Sequence, residues 1–308
     1  MKLLFLFLDG VGLGPDDANS NPLAIAKMPN LKTILNGHRL IQNQSIFPIS
    51  TQRATLLALD ACLGVEGRPQ SASGQATLLT GKNVPALIGQ HYGPKPSPEI
   101  RAILENGNLF NRFKKAGYRV GVLNAFPTGY FQAIDSGRRL PGAIAMAARS
   151  AGIHLKNKDD LFNGRAISAD FTAQGWREHL KLPETPILTP ELAGIRMADL
   201  AKEYDFSFFE YWLSDYAGHK RDFAAACELL QSFDQVLGGL LSTWDDHQGL
   251  ILITSDHGNL EDLTVRSHTL NPVPVLVIGA PDLRQAFTQK LGNLADIYPA
   301  IMNIFEII

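Results

Sequence analysis

Cysteine is nearly absent from this sequence. Cys62 and Cys227 are the only two in 308 residues, and they form no Cys-x-x-Cys pair. That argues against a disulfide scaffold and a thiolate zinc site, and it predicts a reducing compartment. Long apolar runs are missing as well. The first, Leu3–Leu8, is six residues and stops at Asp9, too short for the apolar region of a secretion signal. No stretch approaches the roughly 20 residues that a membrane span needs. Neither sign of charge is in excess: the net charge is -2 and no basic block occurs. Neither nucleic acid nor a membrane is therefore expected as a partner, and the expected setting is the cytoplasm. The sequence sets no oligomeric state. A chain of this length is expected to fold as one large domain with a smaller insertion.

What is present is alternation. Short apolar runs (Leu3–Leu8, Arg119–Leu123, Phe206–Tyr211, Leu250–Thr254 and Val273–Ile278) are each followed by polar residues or glycine. Between them lie helix-length amphipathic stretches: Ser71–Thr80, Leu109–Ala116, Ile195–Glu203, Phe223–Thr243 and Pro281–Lys290. This pattern predicts an α/β fold around a mainly parallel, buried sheet. Residues 132–190 differ. They hold glycine, proline, charge and one Ala-rich helical pattern, with no buried strand. They are expected to form a small cap over the sheet's C-terminal edge, leaving 1–131 and 191–308 as the core.

The positions of Asp and His carry the functional signal. Asp9 directly follows one strand candidate, in LFLDGVGLG; Asp256 and His257 directly follow another, in LILITSDHGN. Asp215 and His219 come shortly after a third, in FFEYWLSDYAGH, and His268 precedes Val273–Ile278. Loops beyond the carboxyl ends of parallel strands gather on one edge, where ligands bind. Singly, each residue reads as a turn, a cap or a surface group. Together they predict a cation site built from oxygen and imidazole, which suits Zn²⁺ or Mn²⁺. Two such ions roughly 3.5–4 Å apart can grip both the attacking and the leaving oxygen of a displacement.

Ser71, in RPQSASGQATLLTG, is the expected nucleophile, because free N–H groups at a helix start favour an anion there. Taken alone, a serine before a helix is more often an N-cap, and Ser73 and Thr77 are rival hydroxyls. Gly10-Val11-Gly12-Leu13-Gly14 invites a dinucleotide reading, but the third glycine would have to stand where Pro15 does.

In order along the chain, these motifs resemble those of the alkaline phosphatase superfamily, and within it the cofactor-independent phosphoglycerate mutases. FLDG, SASGQATLLTG, SDYAGH, SDHGNLED and SHTLNPVPV are the matching segments. The resemblance implies an alkaline-phosphatase-like three-layer sandwich and two divalent cations. One would be held by Asp215, His219 and His268, the other by Asp9, Ser71, Asp256 and His257. It implies phosphoryl transfer through a phosphoserine at Ser71, on a small phosphorylated substrate. The family's histidine in the nucleophile motif is Gln75 here, and its following arginine is Lys82. The large Arg-rich second domain of those mutases is reduced to about 60 residues. That favours a phosphomonoesterase over a mutase, with phosphodiesters, sulfate esters and a non-catalytic metal-binding module as further alternatives. Lys82, Asn124 and Arg165 are the expected substrate contacts; Arg165 lies in GRAISADFTAQGW, which is similar to an Arg-Asp-containing stretch of the mutase domain.

Overall fold

Successive side chains of β1 (Lys2–Leu8) point to opposite faces. Leu4, Leu6 and Leu8 enter one hydrophobic cluster, while Leu3, Phe5 and Phe7 enter another. A strand buried on both faces has to be apolar throughout, and it lies between two helical layers. The computed structural model describes residues 1–42 and 47–307. Its sheet has seven strands: β1, β2 (Ile49–Ser50), β3 (Ala54–Leu59), β4 (Val120–Val122), β5 (Phe206–Tyr211), β6 (Gly249–Thr254) and β7 (Val273–Ile278). They run in the order β2-β3-β7-β6-β1-β5-β4. One face is covered by the helices Pro190–Lys202 and Phe223–Thr243, the other by Ser71–Thr80, Pro98–Glu105, Leu109–Lys115 and Ile297–Ile304. The result is an α/β three-layer sandwich. Among the described residues no helix is long and apolar enough to cross a membrane.

The sheet is mixed. β6, β1, β5 and β4 pair in parallel, but β7 is antiparallel to both of its neighbours, β6 and β3. This reversal brings the start of β7, and with it the His268 loop, to the edge where β1, β5 and β6 end. β2 and β3 were not foreseen. The Ala54–Leu59 run is Ala and Leu apart from Thr55, and such a short run suits a buried helix as well as a strand.

Residues 132–190, the expected cap, divide in two. The helix Ala143–Ser150 packs against Ser71–Thr80, Pro98–Glu105 and Leu109–Lys115, in the cluster that holds Phe5 and Phe7. Its alanines leave room for that close packing, so this part belongs to the main layer. The following stretch builds a small cluster of Ala125, Leu161, Ala166, Ala173 and Trp176. It is tied to the end of β4 by Ala125 N–H donating to Ile167 O, and Ile167 N–H to Leu123 O, both at 2.8 Å.

Phe208 is fully enclosed, with ring centroids 4.7 Å from Phe5 and 5.8 Å from Phe110. Phe208→Ala should cost about 3–5 kcal/mol of unfolding free energy, read from the midpoint of a urea denaturation curve. A loss below about 1 kcal/mol would contradict this placement of the core.

Candidate metal centre

Asp9 leaves the end of β1 with its N–H donating to Tyr211 O at 3.0 Å. The chain then turns through Gly10 at φ +67°, where a Cβ would sit 2.6 Å from Asp215 Oδ1. Only glycine permits both that conformation and that approach. Asp256 and His257 follow β6 and are fully buried. Asp215 and His219 are one turn apart on the helix Leu213–Lys220, with His219 Nε2 3.3 Å from Asp215 Oδ2.

Ser71 is the first residue of its helix; Gln70 is the N-cap. Its hydroxyl is thus released from capping, and Oγ lies 3.1 Å from His257 Nε2. The rival hydroxyls are occupied: Ser73 Oγ donates to Gln70 O at 3.2 Å and accepts from Tyr92 N–H at 3.0 Å, and Thr77 Oγ1 donates to Ser73 O at 2.9 Å. The small residues of SASG have a purpose too. A Cβ on Gly74 would stand 3.0 Å from the Asp256 Cβ and carbonyl oxygen, so glycine lets the helix lie directly on the Asp256 loop.

The three imidazoles are oriented alike. His268 Nδ1 meets Pro69 O at 2.7 Å, His219 Nδ1 meets Arg266 O at 2.9 Å, and His257 Nδ1 meets Gly258 O at 3.3 Å. A carbonyl only accepts, so each Nδ1 donates and each Nε2 is turned into the cluster, able to bind a cation in place of a proton. His268 Nε2 and His219 Nε2 then face each other at 3.3 Å, a contact that calls for a proton or a cation between them. His257 and His268 stack at 3.6 Å between ring centroids. Single ligand atoms of Asp215, His219 and His268 lie within 4.8 Å of one another, as do those of Asp9, Asp215 and His257. Asp215 therefore reaches both groups, whereas the resemblance assigned it to one.

Charge supports the fit to cations. Burial, and then the Asp256 carboxylate, push Asp9 up to about 8, and burial also raises Asp256. Burial opposes charge on His257, yet Asp256 and Asp9 lift it to about 10. The stacked His268 falls to about 4, through burial and the charge on His257. Burial disfavours the Asp215 anion, but the His219 hydrogen bond and His257 hold it near 2. Asp9 Oδ1 and Asp256 Oδ1 are buried with no hydrogen-bond partner. Crowded carboxylates with free lone pairs and three inward Nε2 atoms form a donor set suited to divalent cations.

Several supporting residues were not foreseen. Gln75 Nε2 approaches Asp9 Oδ2 at 3.4 Å and Asp256 Oδ2 at 3.2 Å, holding the two carboxylates apart. Asn259 Nδ2 donates to Asp215 Oδ1 at 2.7 Å. Glu261, fully buried, gathers three loops. Its Oε2 accepts from Gly12 N–H at 2.9 Å and Asn259 N–H at 2.8 Å, and its Oε1 from Asn271 Nδ2 at 3.1 Å and from the Thr269 hydroxyl. This explains the glycine run after β1: a Cβ on Gly14 would lie 2.8 Å from Glu261, and one on Gly12 would collide with its carboxylate. The acidic residue in SDHGNLED was the available signal.

The expected substrate contacts are not brought to the cluster. Lys82 is exposed beyond the far end of the Ser71 helix, about 15 Å along its axis. Asn124 is committed to the backbone of Glu210, accepting from its N–H at 2.8 Å and donating to its carbonyl at 2.9 Å. Arg165 pairs with Asp160 at 3.1 Å, with its side chain 56% exposed.

The Metalloenzyme superfamily model matches residues 192–307. The 2,3-bisphosphoglycerate-independent phosphoglycerate mutase of Roseobacter denitrificans is 34% identical over 129 residues, which are 38% of this chain and 25% of that protein. The match thus takes in a quarter of the mutase's length. Among solved structures, the PH0037 protein of Pyrococcus horikoshii superposes with a TM-score of 0.59 at 18% identity, covering 99% of this chain and 96% of its own. The alkaline phosphatase of the Antarctic bacterium TAB5 does so with a TM-score of 0.56 at 13% identity, over 100% and 98%. At these identities the likeness is one of fold.

Removing the Glu261 carboxylate would leave four donors without this partner, three of them buried. Glu261→Ala should lose on the order of 4 kcal/mol of stability and weaken Mn²⁺ binding by about 10–100-fold. Chemical denaturation and calorimetric titration read the two effects. Unaltered metal affinity in a folded variant would sink the positioning role.

Proposed function

We propose that this chain carries the core of the alkaline-phosphatase-like metalloenzymes and is a phosphomonoesterase acting on a small phosphorylated metabolite through a phosphoserine at Ser71. The observation that carries this reading is the placement of Ser71. Its hydroxyl stands at the first turn of a helix, uncapped, 3.1 Å from His257 Nε2 and beside a buried carboxylate–imidazole set. Asp215, His219 and His268 would hold one divalent cation, Zn²⁺ or Mn²⁺, and Asp9, Asp256, His257 and the Ser71 oxygen the other. When bound, these ions would favour the ionised serine and offset charge on the phosphoryl and leaving oxygens.

The chain's own part in the chemistry follows from its geometry. The Ser71 and Ala72 N–H groups make no hydrogen bond among the described residues and can donate to a phosphoryl oxygen, aided by the helix dipole. Ser71 Oγ attacks phosphorus, the ester P–O bond breaks, and the alcohol leaves with a proton. Water then attacks the phosphoserine, the Oγ–P bond breaks, and phosphate is released. Gln75 and Asn259 keep the carboxylates in place throughout. A mutase would have to retain the alcohol and return the phosphoryl group to another of its hydroxyls. The short segment here, whose Ala143–Ser150 helix lies in the core layer, favours release.

The protein with two equivalents of Mn²⁺ should hydrolyse an aryl phosphate. Ser71→Ala should lower turnover on the order of 10³-fold or more while metal analysis shows its ion content largely kept. Activity unchanged in that variant rules Ser71 out as nucleophile. Full occupancy with no hydrolysis by the unaltered protein points instead to the mutase or to a binding module. His268→Ala should reduce the titrated stoichiometry from two Mn²⁺ ions to one; a single site in the unaltered protein would contradict the binuclear reading.

A further inference from the structure

A second group of charged residues borders the cluster on the side of the Ser71 helix. The loop that follows His91 is clamped to the start of that helix: Ser73 N–H donates to Tyr92 O at 2.9 Å, and a Cβ on Gly93 would stand 3.2 Å from Ser71 N. Two residues on, Lys95 is half-buried and makes no hydrogen bond or ion pair among the described residues. Its ammonium lies in the field of the Arg139 guanidinium and the Glu210 and Asp9 carboxylates. It also sits 3.9 Å from where a Cβ on Gly142 would be. Gly142 is the N-cap of the helix Ala143–Ser150, which has no side-chain cap and no acidic residue in its first turn.

Arg139 is exposed, with its guanidinium 5.4 Å over the Tyr130 ring, and the Tyr130 hydroxyl is buried without a hydrogen-bond partner. Glu210 stands opposite Phe7 in the β1–β5 register and so shares the sheet face of Asp9 at the same edge. Burial and the charge on Asp9 raise its carboxyl to about 7.

An exposed arginine or a lone lysine is usually a solvated surface group. The combination here is different. Two cations and the positive end of a helix dipole converge, which is unfavourable unless an anion joins them. Glu210 makes no ion pair there among the described residues, and the buried Tyr130 hydroxyl still needs a partner.

We infer that Lys95, Arg139, Tyr130 and the N-terminus of Ala143–Ser150 bind the non-reacting end of the substrate, and that this end carries a second anionic group. The assignment rests on Ser71 acting on a phosphoester. It places substrate selection on the core layer rather than on the expected contacts Lys82, Asn124 and Arg165. Glu210 lies across the same space, where it can hydrogen-bond a hydroxyl of the bound molecule.

Matched esters test this. Ethyl phosphate has a neutral tail, phosphoglycolate a carboxylate, and ethane-1,2-diyl bisphosphate a second phosphate. Calorimetry on Mn²⁺-loaded Ser71→Ala protein, which prevents turnover, should show at least one doubly anionic ester binding about tenfold or more tightly than ethyl phosphate. The tighter of the two identifies the tail group. Lys95→Ala should bring that ratio close to one, Arg139→Ala should lower it, and Lys95→Arg should keep most of it, all with melting temperatures near that of the parent. Equal binding of all three esters by the parent overturns the assignment. So does a Lys95→Ala variant that weakens ethyl phosphate and the anionic esters equally, because Lys95 would then serve the transferred phosphoryl group. A protein that hydrolyses an aryl phosphate but fails these tests loses only the pocket. One that binds no ester and hydrolyses none loses the phosphoesterase reading as well.

Discussion

Three carboxylates, Asp9, Asp215 and Asp256, are held at the carboxyl edge of the sheet, largely or wholly shielded from water. Left to themselves they repel one another, and desolvation adds to the cost of each charge. Much of the surrounding architecture can be read as a response to that repulsion. Gln75 Nε2 stands between Asp9 and Asp256, Asn259 holds Asp215, and three imidazoles turn their Nε2 atoms inward by donating Nδ1–H to carbonyl oxygens. The compensation by hydrogen bonds is incomplete, since Asp9 Oδ1 and Asp256 Oδ1 accept none, although His257 Nε2 stands 3.4 Å from Asp9 Oδ1. A site with this surplus of lone pairs is arranged for positive charge that the protein itself does not supply.

Holding such a site open requires stiffness around it. Glu261 provides a central tie, because one buried carboxylate accepts hydrogen bonds from the loop after β1, the loop after β6 and the loop before β7. Its contacts also account for glycines that looked like a nucleotide motif: Gly12 and Gly14 are there so that backbone can lie against Glu261. Gly74 plays the same part on the other side, where the Ser71 helix rests on Asp256. The nucleophile is therefore placed by backbone packing, and its hydroxyl remains free of capping.

The corrections to the sequence reading share one origin. A strand's direction is set by its neighbours, and Val273–Ile278 reads the same whether it runs with them or against them. Only pairing reveals that β7 is reversed, which is why His268, five residues before it, can reach the edge where the other strands end. Likewise the alanines of Ala143–Ser150 fit an exposed helix or a tightly packed one; packing against Ser71–Thr80, Pro98–Glu105 and Leu109–Lys115 settles the matter. Lys82 and Arg165 were reasonable candidates by residue type, and each turned out to lie elsewhere or to be paired elsewhere.

The sequence alone determined the α/β class, five of the seven strands, most of the helices and the candidate metal-capable residues. These signals are local: a run of apolar side chains, a helical period, an Asp or His just beyond a strand. The tertiary structure alone decided that Asp215 reaches both groups, that Glu261 and Gln75 support the cluster, and that Lys95 and Arg139 flank it. Those relations join residues up to about 250 positions apart in the chain, and no local period or propensity encodes a distance between side chains that only folding brings together.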